Sequence, residues 1–255
     1  MAPSLDPKLE YLLRQGDNAL ILSQQLSQLC GKGPALEEDM ALTNVALDLL
    51  GQTRMWLGYA AELTGPNGDD EDTLAFLRDA HDLRCCLLLE QPNGNYADTM
   101  MRQFYFDTWH YFLMQGLLTS TDPRIAEIAE KSIKEVTYHL RRSGDLVVRL
   151  GDGSAESHAK IQAAADALWM YSGEMFLYDA LDRAMVDAGV APDSAPLRAA
   201  FLEHVAEIFA EATLTMPDPN AWMQRGGKQG RHSEHLGFIL AEMQFLQRAY
   251  PGAEW

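Results

Sequence analysis

The sequence predicts an all-α fold, on three observations. Apolar residues recur three and four apart through several stretches of roughly 28 residues, the period of a helix face. Alternating runs of β-branched residues are missing, so there is no basis for strands. Clusters of Gly, Pro, Asn and Asp separate the stretches, as turns require. Helices of that length span ~40 Å at ~1.5 Å per residue, which favours a long antiparallel bundle with additional helices over a packing of short ones. No fixed repeat supports a solenoid.

Each element follows from local signals. Pro7 opens a first helix that carries Leu9, Leu12, Leu13, Leu20, Leu22, Leu26 and Leu29, and Gly31 closes it. A second is expected from about Ala35 to Leu63, broken by Thr64-Gly65-Pro66-Asn67-Gly68-Asp69-Asp70. A third runs from about Asp72 to Glu90 and meets Pro92-Asn93-Gly94. A fourth covers about Asn95 to Thr119. Asp122-Pro123, an acid at the cap and proline at the first helical position, starts a fifth that reaches Leu150. Ser154 caps a sixth that ends near Gly189, and a seventh covers about Ser194 to Leu214. Thr215 to Arg231 is a loop. Ser233 starts a short last helix ended by Pro251-Gly252. Residues 1–255 thus read as one helical domain with a C-terminal loop and short helix at 215–255.

Composition narrows the function. With 37 acidic against 20 basic residues the net charge is −17, which repels phosphate backbones and anionic membrane surfaces. No apolar stretch approaches the ~20 residues of a bilayer span. Met1 to Pro7 lacks a basic region followed by an apolar run, so no signal peptide is expected. Cys30, Cys85 and Cys86 form no Cys-x-x-Cys and read as buried thiols in a reducing cytoplasm, with neither a zinc site nor a redox pair suggested.

Four acids recur along the chain. Asp48, Asp79, Asp107 and Glu135 are separated by 31, 28 and 28 residues, about one long helix plus a turn per step. In ferritin-like di-iron bundles two helices give one carboxylate each and two give Glu-x-x-His, which sets each imidazole one turn beyond its carboxylate. Here Asp82 and Tyr138 stand three residues beyond Asp79 and Glu135, while His110 follows Asp107 by three and His139 follows Glu135 by four. Two charges ~5 Å apart at an effective dielectric of about 20 repel by roughly 3 kcal/mol, so converging acids need a cation, protons or donors. A metal is one remedy. A metal-free polar network of Asp48, Asp79, Asp82, Asp107, His110, Glu135, Tyr138 and His139, a degenerate metal site, is another.

The most basic segment of this acidic chain is the Gly-rich run holding Arg225, Lys228, Arg231 and His232. It could meet an anion such as a coenzyme A tail or a partner subunit, or dock back on its own bundle. It is not a P-loop, because no Ser or Thr follows the Gly-Lys as required.

Several strings stand out together: Gly16-Asp17-Asn18 with Leu22-Ser23-Gln24, Leu47-Asp48-Leu49-Leu50-Gly51-Gln52, Glu71-Asp72-Thr73-Leu74-Ala75-Phe76, and Glu90-Gln91-Pro92-Asn93-Gly94-Asn95. Towards the end come Gly226-Gly227-Lys228-x-Gly230-x-His232-x-Glu234-His235-Leu236-Gly237 and Leu240-Ala241-Glu242-Met243-Gln244. On these, from about Tyr11 to Trp255, the chain resembles the PaaC family. These are the non-catalytic ferritin-like subunits of the bacterial phenylacetyl-CoA 1,2-epoxidase, a ring-epoxidising multicomponent monooxygenase. The resemblance implies a heteromer in which a catalytic ferritin-like sister subunit carries the di-iron centre and binds phenylacetyl-CoA. A flavin and iron–sulfur reductase supplies its electrons from NADPH, in aerobic phenylacetate catabolism. It implies no catalytic residue, metal or cofactor in this chain, because Asp82 and Tyr138 stand where the sister's motif has His. Two other functions stay open: a stand-alone carboxylate-bridged metal oxidoreductase, and a coenzyme A or nucleotide binder using Gly226 to Arg231. Self-association is a further mode that stays open.

Overall fold

The computed structural model describes residues 6–65 and 68–253. Met1 to Leu5, which the signal-peptide reading concerns, Pro66 and Asn67 of the second break, and Glu254 and Trp255 lie outside the described residues. Among the described residues there are eleven α-helices, three short 3-10 turns and no strand, as the all-α reading expects. The helices are α1 (Pro7–Ser27), α2 (Leu36–Thr64), α3 (Glu71–Phe76), α4 (Leu87–Glu90), α5 (Tyr96–Leu117), α6 (Pro123–Gly151), α7 (Ala155–Ser172), α8 (Ala180–Asp187), α9 (Ser194–Glu211), α10 (Glu234–Met243) and α11 (Phe245–Ala249). They fall into two compact units. One comprises residues up to Gln91 together with those from Gly226 onward, and the other comprises Pro92–Arg225.

In the first unit α1 and α2 pack antiparallel, so that Lys8 at the start of α1 lies 3.5 Å from the Tyr59 hydroxyl near the end of α2. Gly16 makes their close approach possible, because a Cβ there would sit 2.5 Å from a Leu57 methyl. The helix α1 is buried on nearly every side, and its buried residues include Glu10, Arg14, Asp17 and Asn18. A helix enclosed in this way must find partners for its polar side chains.

The second unit is built on the antiparallel pair α5 and α6. Phe104, Tyr105, Trp169, Phe201 and Phe209 form its aromatic core, with Tyr105 and Trp169 edge to face at 5.5 Å between ring centres. Its helix starts follow the local signals. Asn95 and Asp98 form a capping box on α5, and Asp122 accepts hydrogen bonds from the backbone N–H groups of Arg124 and Ile125 ahead of α6.

Three expectations are corrected. The single helix expected from about Asp72 to Glu90 is α3, a 3-10 turn at Ala80–Asp82 and the one-turn α4. Helical hydrogen bonding loses there to side chains of α1: the backbone N–H of Arg84 goes to Asp17 at 2.7 Å and that of Cys86 to Asn18 at 2.8 Å. The sixth helix stops at Ser172, and α8 restarts on a capping box of Asp179 and Asp182. Cys30 is exposed rather than buried, because α1 ends three residues before it, whereas Cys85 and Cys86 are buried.

Candidate functional site

Residues from several of the distinctive strings meet in the first unit as a polar interlock around α1. Asp17, fully buried, takes both terminal nitrogens of Arg78 and the Arg84 backbone N–H. Such bidentate pairing satisfies a buried carboxylate. Arg78 in turn donates to the Leu74 and Asp82 carbonyls, fixing the residues around the 3-10 turn. Glu10 accepts from Arg84 Nε at 2.6 Å, and Gln25 donates to the carbonyls of Glu90 and Gln91 at 3.2 and 3.0 Å. Each residue of Gly16-Asp17-Asn18 therefore serves the interlock, Gly16 by close helix approach, Asp17 by charge pairing and Asn18 by capture of the Cys86 N–H.

A second buried group closes the interlock. Glu90 Oε1 lies 2.5 Å from His232 Nδ1, and Glu90 Oε2 accepts the Ser233 N–H at 2.7 Å and its hydroxyl at 2.6 Å. His232 Nε2 lies 3.0 Å from the Leu83 carbonyl, a contact that only an N–H donor can make. Burial works against the charge on His232. The Glu90 hydrogen bond and charge, the Leu83 carbonyl and the Asp17 charge together outweigh it and hold the imidazole above its ordinary value. The glycines of the loop are steric. A Cβ on Gly227 would fall 2.1 Å from the Cys85 carbonyl oxygen and one on Gly230, at φ +73°, 2.2 Å from that of His81. The loop thus lies against residues of its own unit, with Lys228 buried and Arg225 and Arg231 exposed.

The predicted acids do not share one environment. Asp48 is half-buried on α2. Asp79 is exposed at the cap of the 3-10 turn and pairs with Arg248 at 2.9 Å, with Asp82 half-buried close by. The break in the predicted third helix removes the regular turn that would have aligned these two with a bundle core. In the second unit Asp107, His110 and His139 are buried, while Glu135 is half-buried and Tyr138 half-exposed.

A polar cluster does form around Asp107. Gln103 donates to Oδ1 at 2.7 Å, and Oδ2 is buried with no hydrogen bond among the described residues. Burial pushes the Asp107 carboxyl up to about 6, against the nearby His139, Ser143, Gln103 and Arg142. Burial first, and His139 second, push His110 down to about 3. Among the described residues the buried Nδ1 of His110 has no hydrogen bond.

Asp82 and Tyr138 stand three residues beyond Asp79 and Glu135, and Tyr138 and Asp79 open to solvent. Among the described residues only two groups of three His, Cys, Asp or Glu bring their ligand atoms within 4.8 Å of one another. They are Cys85, Glu90 and His232, and the more exposed Asp79, His81 and Asp82. Asp107, His110, Glu135 and His139 form no such group. The Glu90–His232 group escapes sequence reading, because its members are 142 residues apart. The one available signal is that Glu90 and His232 both belong to distinctive strings.

Comparison with known proteins covers nearly the whole chain. The family model for the phenylacetic acid catabolic protein matches residues 2–255. The chain is 51% identical, over 248 residues, to a protein of Escherichia coli (strain K12) named as a subunit, the one lettered C, of 1,2-phenylacetyl-CoA epoxidase, covering 96% of this chain and 98% of the relative. The all-α, ferritin-like class expected from the sequence is the class of this protein. The chain belongs to the phenylacetic acid catabolic protein family.

Proposed function

We propose that this chain is a structural and regulatory subunit of a bacterial phenylacetyl-CoA epoxidase, without chemistry of its own, working in aerobic phenylacetate catabolism. The likeness to the Escherichia coli epoxidase subunit over nearly its whole length carries the reading. The loss of imidazole and of alignment at the expected metal positions supports the absence of catalysis in this chain. Its partner on this reading is the catalytic ferritin-like subunit, which would hold the di-iron centre.

A surface for such a partner is available on α2. Leu36, Met40, Leu47 and Leu50 are exposed at spacings of 4, 7 and 3 residues, one stripe along the helix. Uncovered apolar stripes of this kind mark protein contacts more often than chance exposure. No described helix is long and apolar enough to cross a membrane, which accords with a place in the cytoplasm.

The test is reconstitution. The catalytic subunit and reductase should epoxidise phenylacetyl-CoA only when this chain is added, and this chain with reductase and ferrous iron should turn over nothing. Turnover by this chain without the catalytic subunit would establish the metal oxidoreductase instead. The coenzyme A reading is addressed by replacing Lys228 and Arg231 with Ala. Unchanged coenzyme A affinity in the assembled complex is expected, because Lys228 is buried.

A further inference from the structure

We propose that Cys85, Glu90 and His232 form a zinc-binding site inside the first unit, independent of any role at an iron centre. The three side chains are 0%, 0% and 4% exposed. Cys85 Sγ lies 3.8 Å from Glu90 Oε1 and 3.9 Å from His232 Nδ1, and those two atoms lie 2.5 Å apart. In a tetrahedral zinc site, with Zn–S ~2.3 Å and Zn–N and Zn–O ~2.0 Å, ligand atoms stand ~3.3–3.6 Å apart. The two sulfur distances are already near that spacing. The imidazole and carboxylate, drawn together by the proton between them, must separate by about 0.8 Å.

Atoms that do not face the common point are already held. His232 Nε2 engages the Leu83 carbonyl, which leaves Nδ1 as the coordinating nitrogen. Glu90 Oε2 is fixed by the N–H and hydroxyl of Ser233, which leaves Oε1. Outer contacts of this kind orient metal ligands and set their tautomer. Thiolate, imidazole and one carboxylate together select zinc over hard cations such as magnesium. The exchange balances as Zn²⁺ entering while two protons leave, one from the Cys85 thiol and one from the His232–Glu90 bridge. No electron is transferred. Bound zinc would tie the residues beside α4 to the loop before α10.

The experiment uses the full chain with zinc chloride, and with cobalt(II) as a spectroscopic probe. Wild type should retain one zinc per chain through gel filtration. The cobalt form should show a thiolate-to-metal charge-transfer band. Cys85→Ser should abolish the band and weaken zinc by at least about tenfold, whereas His81→Ala, in the exposed group, should change neither. A wild type that retains no zinc, zinc retained equally by Cys85→Ser, zinc lost in His81→Ala alone, or a cobalt-bound wild type without the band would each overturn the site. The wild-type spectrum decides even where a variant does not fold. Epoxidase reconstitution is a separate readout, so failure here leaves the subunit role standing.

Discussion

At the scale of single residues, the polar groups of the interior set the response to pH and to charge removal. Asp107 is raised from 3.8 to about 6, so between those values the folded chain holds a proton that the unfolded chain has lost. Its contribution is full below about pH 4 and disappears as pH rises through 6. His110 is lowered from 6.5 to about 3, so between those values the unfolded chain holds the extra proton, and stability rises with pH. The two slopes are opposite and nearly cancel between pH 4 and 6. Asp107→Asn should therefore tilt the pH dependence of stability upward relative to wild type in that window, and His110→Asn should tilt it downward. Urea melts at pH 4, 5 and 6 measure this, and equal slopes in both variants would contradict the assignment. Asp17 is a different case. Asp17→Ala leaves Arg78 largely buried without its partner, and a loss of about 3–5 kcal/mol is expected by denaturant melting.

Elements show where local signals decide and where they lose. The caps of α5 and α6 are readable because Asn95, Asp98, Asp122 and Pro123 act within a few residues of themselves. The segment from Asp72 to Glu90 is not, because its fate is set by Asp17 and Asn18, 67 and 68 residues away. The Glu90–His232 contact is illegible for the same reason, whereas the docking of the Gly-rich loop on its own unit is among the readings the sequence leaves open. That loop is tightly fitted. Gly227→Ala would press a methyl onto the Cys85 carbonyl and should cost about 1–3 kcal/mol, read as a drop in melting temperature of several degrees. On α2 the sign reverses. Leu47 is exposed, so Leu47→Glu should leave the stability of the isolated chain within about 0.5 kcal/mol of wild type. It should reduce recovery of the catalytic subunit in affinity co-purification, and undiminished recovery would remove α2 from the interface.

For the molecule as a whole, the acids that the sequence marks for a metal have other partners in each unit: Asp79 pairs with Arg248 in the first and Asp107 accepts from Gln103 in the second, where Tyr138 faces solvent. Residues of the distinctive strings, with Arg78 and Arg84, instead lock the 78–90 segment and the 226–233 loop within the first unit. A subunit that works by shape has use for such an interlock, since a surface offered to a partner must be held in one form. The central claim is that this chain grips no pair of redox ions. Its most direct test is iron analysis of the chain purified alone after anaerobic reconstitution with ferrous iron and removal of excess. The account predicts no iron pair, and two irons per chain would contradict it.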